Sequence, residues 1–129
     1  MTAQIIDGTA IAERVKQQLK VRVGELARAS TRAHLAAVLV GSSAAGEMYA
    51  RRQGEAAEAV GIGYTLVKLP EEIAPKDIQR EIHRLNNDAS VTGIMVHLPL
   101  PSQLNATDIQ NTIDPRKDVE GVGAASLGY

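Results

Sequence analysis

Thr92-Gly93-Ile94-Met95-Val96-His97-Leu98-Pro99-Leu100-Pro101 decides how this chain is read. Ile94 to Val96 is a short apolar run of the kind that forms a strand buried on both faces. It stops at a Pro-Leu-Pro step. Proline has no backbone N–H and cannot extend a central ladder, so the chain leaves the sheet there. In open α/β sheets, ligands bind beyond the carboxyl ends of the strands. His97 stands at that end, a titratable side chain at the rim of an apolar strand.

Working outward, the rest of the chain alternates. Leu35-Ala36-Ala37-Val38-Leu39-Val40 is an unbroken apolar run closed by Gly41-Ser42-Ser43, and reads as a buried parallel-type strand. Tyr64 to Leu69 alternates partially and stops at Pro70, as expected of a strand near an edge. Ile5-Ile6, closed by Asp7-Gly8, is a further short strand on this reading.

Between the strands the period changes. Ile11, Val15, Leu19, Val23 and Leu26 recur at helical spacing, which predicts a helix from about Thr9 to Ala29 with that stripe inward. A second helix is expected over about 45–60, with Met48, Ala56, Ala59 and Val60 toward the core and Tyr49 and Gln53 on one shared face. A third runs from Ala74 to Asn86, with Pro75 in its first turn and Ile78, Ile82 and Leu85 inward. A short fourth helix, Ala106 to Ile113, carries Ile109 and Ile113 inward and breaks at Asp114-Pro115. The tail from Val122 to Tyr129 begins another helix. The order β-α-β-α-β-α-β-α means a layered α/β fold with a mostly parallel sheet and right-handed crossovers.

Composition narrows the function classes. The chain has 129 residues, 44% hydrophobic and 22% charged, enough for one domain with a real core. That core is aliphatic, because there is no Phe and no Trp. The formal net charge is -1 without charge blocks, so neither nucleic acid nor an anionic membrane is an expected partner. With no cysteine there is no thiolate chemistry, and His34, His83 and His97 show no metal-ligand spacing. The start of the chain lacks a basic region followed by a long apolar stretch, so a cytoplasmic protein is the expectation.

The residues that could carry chemistry gather at one edge of the sheet. They are Tyr49 on the second helix, His97 at the strand end, and Asp118 and Glu120 in the charged loop Arg116-Lys117-Asp118-Val119-Glu120-Gly121. His97 is the one member with an unperturbed pKa near neutrality. Each also has a purely structural reading: Tyr49 as a rim residue, His97 as a capped strand end, the two acids as solvated loop charges. Gly41-Ser42-Ser43 reads as an anion-binding turn or as a plain β–α connection.

Val38-Leu39-Val40-Gly41, Tyr49, Leu85-Asn86-Asn87-Asp88, the stretch 93–101 and Pro115 to Gly121 together resemble the methylenetetrahydrofolate dehydrogenase/methenyltetrahydrofolate cyclohydrolase family. Ile5-Ile6-Asp7-Gly8 also matches. The resemblance runs along the whole chain and covers the family's amino-terminal, folate-binding catalytic half. It implies a three-layer α/β/α domain over residues 1–129, without the dinucleotide-binding domain. By the same token the ligand is a tetrahydrofolate derivative. NADP is involved only through a separate domain, and the chain itself binds no cofactor. The partners it implies are a small-molecule folate, and either a second copy of the chain or the missing cofactor domain.

Residue by residue, the resemblance places Tyr49 against the aminobenzoyl part of the folate. It puts Gln53 where the family has its acid/base lysine, and His97 where a glutamine tunes that lysine. Glu120 stands where an aspartate holds the pterin, and Gly46 where the family has a serine. Leu98, Pro99, Pro101 and Asp118 fall within the implied substrate-binding segments. An amide does not titrate near neutrality, so Gln53 cannot shuttle a proton as an amine does. Two readings follow: an enzyme of one-carbon metabolism with a substituted site, in which His97 is the catalytic base, or a non-catalytic relative, either a folate- or pterin-binding pseudoenzyme or an assembly module.

Overall fold

The computed structural model describes residues 2–128. Helix α1 spans Gly8–Arg28, β1 His34–Val40, α2 Ala44–Ala59, β2 Gly63–Leu69, α3 Pro75–Asn86, β3 Gly93–Val96, α4 Ala106–Thr112 and α5 Ala124–Leu127. The strands form one parallel sheet in the order β2-β1-β3. The central strand β1 is the unbroken apolar run, and its last five residues are buried. The chain is an α/β fold, as its alternation predicts.

Strand parity divides the core in two. The side chains of Ala36, Val38 and Val40 on β1 and of Ile94 and Val96 on β3 pack with Ile78, Ile82 and Leu85 of α3 and Ile109 of α4. Ile78, Ile82, Ile94 and Ile109 are at most 1% exposed, so this aliphatic layer carries the packing that aromatics supply elsewhere. Truncating one such isoleucine to alanine costs about 2–5 kcal/mol. On the other face lie Ala37, Leu39, Met95 and Tyr64, beneath α2.

Helix α2 approaches that face closely. A Cβ at Gly54 would lie 2.8 Å from the Tyr64 ring, so only glycine permits this helix-to-strand distance. The buried residues of α2 are Ala50, Gly54 and Ala57, with Val60 buried at its C-cap. The expected face of Met48, Ala56 and Ala59 is therefore corrected for all but Val60: Met48 is 56% exposed, and Ala56 and Ala59 face solvent. In a helix of this composition alanine occupies both faces, and the small residues that let the helix approach the sheet define the buried one.

Two further expectations are corrected. Ile5 and Ile6 form no strand; they are extended and exposed. Two residues make too few ladder bonds to compete with solvent unless a neighbouring edge receives them. The α1 stripe is present at helical spacing but not inward: no α1 residue is buried, and Ile11, Val15, Leu19 and Leu26 are each roughly half exposed. Asp7 caps α1 by accepting from the Ala10 N–H at 3.1 Å, so the helix starts where its cap and turn dictate. The tail forms α5 as expected, although Tyr129 lies outside the described residues. No helix among the described residues is long and apolar enough to cross a membrane.

Candidate functional site

A cleft of about 790 Å³ opens at the carboxyl ends of the strands. Three connections build it. The first is the turn after β1. Gly41 adopts φ +86°, a conformation that favours glycine, and its N–H donates to the Leu69 carbonyl at 2.9 Å. Ser43 then caps α2 by accepting from the Gly46 N–H at 3.1 Å. A side chain at position 46 would crowd that cap, because its Cβ would lie 2.8 Å from Ser43 Oγ. The turn thus aims α2 so that Tyr49, one turn in, reaches the cleft.

The second connection follows β3. The His97 N–H donates to the Val38 carbonyl at 2.9 Å, which keeps the backbone on β1 for one residue beyond the strand. Leu98-Pro99, a cis peptide, then turns away. By parity His97 shares the face of Met95, under α2. Its ring meets Tyr49 edge-on, with centroids 5.6 Å apart and planes at 87°. His97 is 8% exposed, and its Nε2 is buried without a hydrogen-bond partner. Burial holds its pKa below the usual histidine value, because the low-dielectric surroundings penalise the imidazolium. His97 is therefore neutral at pH 7, with one ring nitrogen unspent.

The third connection is the charged loop. The Ile94 N–H donates to the Lys117 carbonyl at 2.8 Å, fastening the loop to the outer edge of β3. Lys117 Nζ donates to the carbonyls of Leu85 and Asp88 at 3.1 and 2.8 Å, which ties the loop to the end of α3. The Asp118 carboxylate accepts from Val122 N–H, Gly123 N–H and Ser126 Oγ at 3.2, 2.8 and 2.9 Å. Desolvation pushes the Asp118 carboxyl up, but these donors outweigh it and hold its pKa below the usual range. With Lys117 and Asp118 engaged, Glu120 is the acid of this loop that borders the cleft.

The cleft therefore brings together Tyr49, His97, Leu98, Pro99, Pro101 and Glu120. It does not include Asp118 or Gln53 among its lining residues. Gln53 lies outside the lining, as a crossbar between β2 and β3. Its Nε2 donates to Met95 Sδ on β3 at 2.7 Å, and its Oε1 accepts from the Tyr64 hydroxyl on β2 at 3.0 Å. Sequence reasoning did not single out Met95, Tyr64, Glu71 or Gln110, all of which but Tyr64 line the cleft. Parity from His97 would have found Met95; the others depend on strand register and loop paths that spacing does not carry.

A parallel α/β sheet with a cleft at its carboxyl edge, walled by the Tyr49 ring, a Pro-Leu-Pro step and a histidine, defines an α/β domain whose concave site stands at the usual place for such sheets. The sequence family described as the catalytic domain of tetrahydrofolate dehydrogenase/cyclohydrolase matches residues 6–120. The chain belongs to this family. It is 42% identical over 129 residues to the bifunctional protein FolD of Heliobacterium modesticaldum, covering 100% of this chain and 45% of that one. The solved 5,10-methylenetetrahydrofolate dehydrogenase of the silkworm Bombyx mori superimposes with a TM-score of 0.95 at 33% identity, over 98% of this chain and 44% of that one. The Trypanosoma brucei methylenetetrahydrofolate dehydrogenase-cyclohydrolase, solved with NADP cofactor and inhibitor, superimposes with a TM-score of 0.87 at 31% identity, over 94% and 42%. The chain spans less than half the length of these relatives.

Proposed function

We propose that this chain is a folate-binding, catalytic-type domain of one-carbon metabolism, working on the methenyl and methylene forms of tetrahydrofolate. The observation that carries this reading is the cleft itself. In a chain that belongs to the family, Tyr49, His97, the 98–101 step and Glu120 converge on one cavity at the carboxyl edge of the sheet. Tyr49 offers a ring for the aminobenzoyl group and Glu120 a carboxylate for the pterin. Hydride transfer to a nicotinamide cofactor belongs, on this reading, to a dinucleotide-binding unit outside these 129 residues.

Ring opening of the methenyl bridge needs water to attack the bridging carbon and a base to take the water proton. Gln53 cannot be that base, since an amide does not accept a proton near neutrality and both ends of this one are occupied. His97 borders the cleft, burial favours its neutral form, and its buried Nε2 has no hydrogen-bond partner. The water oxygen bonds to the methenyl carbon as one of its protons passes to the His97 imidazole, and the resulting carbinolamine loses its hydroxyl proton as the C–N bond breaks to leave the formyl product. Of the two protons, one goes to the leaving nitrogen and the other to solvent. The test is the rate of methenyltetrahydrofolate hydrolysis above buffer, for the wild-type chain and for His97→Gln. The expected result is hydrolysis that disappears in the variant; undiminished hydrolysis removes His97 from the role.

The second reading, a folate-binding module without catalysis, is favoured by Gln53. The position one turn after Tyr49 serves as a brace between β2 and β3 rather than as a cleft group. Folate binding without any hydrolysis above buffer would select it.

A further inference from the structure

We infer that the exposed face of α1 pairs with the same face of a second copy of this chain, the two helices running antiparallel about a two-fold axis at Leu19. Helix α1 has 21 residues, about 30 Å at the usual rise, and none of them is buried. It meets the body of the domain along one flank, that of Lys16, Val23 and Gly24, the part-covered residues of the helix. There Val23 stands against the turn after α2: a Cβ at Gly61 would lie 3.3 Å from its side chain. The stripe Ile11, Val15, Leu19 and Leu26 lies beside that contact and is 38–47% exposed. Ile5 and Ile6 add exposed apolar surface just ahead of the helix. Helical stability comes mostly from covering an apolar stripe, and an isolated helix is marginal in water. A stripe of this length left open is an interaction surface.

Two properties of the helix make a second copy the occupant. One is symmetry. Counting outward from Leu19, Val15 and Val23 stand four residues to either side, and Ile11 and Ala27 eight to either side. A two-fold axis at Leu19 therefore sets apolar against apolar along the whole contact, the self-complementarity that an isologous interface needs.

The other is charge. Arg14, Gln18 and Glu25 each precede a stripe residue by one, so they share the flank of the stripe away from the body. All three are exposed. Arg14 lies five residues before Leu19 and Glu25 six after it. An antiparallel pair centred on Leu19 brings Arg14 of each copy beside Glu25 of the other, which makes two ion pairs across the axis. Among the described residues, neither side chain has a charged partner within its own chain. Toward the body, by contrast, Lys16 is already paired with Glu13 at 3.5 Å. A parallel pair would set Arg14 on Arg14 and Glu25 on Glu25, like charge on like, so charge selects the antiparallel arrangement.

The test is sedimentation equilibrium of the 129-residue chain from about 1 μM to about 1 mM, the range in which a contact smaller than a standard interface associates. The expected mass rises from monomer toward dimer across this range. Leu19→Glu puts two carboxylates on the axis at a position outside the core. It is expected to stay monomeric throughout while keeping the wild-type circular dichroism. Arg14→Glu and Glu25→Arg should each weaken association about three-fold or more, since each turns both ion pairs into repulsions. The variant carrying both reversals should associate within about two-fold of wild type, because the pairs re-form with their signs exchanged. A monomeric wild-type chain at about 1 mM, or a dimer that Leu19→Glu leaves intact, overturns the inference. A double reversal no stronger than the single ones overturns the antiparallel register.

Discussion

Removing the Tyr64 hydroxyl tests whether Gln53 is a structural brace. In Tyr64→Phe the ring still packs against Gly54, but Gln53 Oε1 loses the donor it holds at 3.0 Å. A carbonyl left unpaired inside a protein costs about 1–3 kcal/mol, and Gln53 is only partly buried, so about 1 kcal/mol is expected. Unfolding entropy scales at about 2.1 cal/mol/K per residue, so this loss lowers the thermal midpoint by about 4 °C in a chain of this length. The decisive assay is a double-mutant cycle with Gln53→Leu, followed by urea unfolding. Alone, Gln53→Leu strands the Tyr64 hydroxyl; in the Tyr64→Phe background there is no hydroxyl left to strand. The two changes should therefore couple by about 0.5 kcal/mol or more. Additive losses, or a Tyr64→Phe variant as stable as wild type, would refute the brace.

Other expectations follow from the same geometry. Gly54→Ala should destabilise by about 1–3 kcal/mol, because its Cβ meets the Tyr64 ring at 2.8 Å, and Tyr64→Ala should relieve most of that penalty. His97 has a folded pKa below its ordinary value of 6.5, so the unfolded chain binds its proton more readily. Stability attributable to His97 is then full above about pH 6.5 and falls as pH drops through 6.5 toward the folded value; His97→Gln should flatten that part of the pH–stability curve. Asp118→Ala should loosen residues 122–126, seen as faster amide exchange at Val122 and Gly123, with β1 protection unchanged. At the acid end, the Arg116 hydrogen bonds hold Asp114 at about 2, which NMR titration of its carboxyl group would check.

Much of this architecture was legible because local pattern and global packing agree. The run 35–40 is a central strand in both views, and Ile78, Ile82 and Leu85 mark the α3 face that is buried. The failures have physical causes. Ile5-Ile6 has the composition of a strand but no described edge to join. The α1 stripe was read from periodicity, which reports that a face is apolar and not what covers it. On α2, glycine and alanine rather than the larger residues mark the buried face, because close approach to Tyr64 is the limiting contact.

The site was legible in outline. Tyr49, His97 and Glu120 meet at the strand ends, as a Pro-Leu-Pro exit and a β–α turn require. What spacing could not give was the division of labour in the charged loop. Lys117 is consumed by carbonyls at the end of α3, far away in sequence, and Asp118 by donors of the tail a few residues on, whose fold-back spacing does not reveal. Gln53 is similar. Helical spacing puts it on the Tyr49 face, but only the register of β2 and β3 across β1 turns it toward Tyr64 and Met95.

The most direct test of the central claim is thermal unfolding of the 129-residue chain with and without tetrahydrofolate, alongside Tyr49→Ala. A ligand held in the cleft at 100 times its dissociation constant adds about 2.7 kcal/mol to stability. The account predicts a raised midpoint for the wild-type chain and a much smaller rise for Tyr49→Ala, whose ring is exposed and carries little of the core. An unchanged midpoint at millimolar tetrahydrofolate, or the same rise in the variant, would contradict folate binding at this cleft.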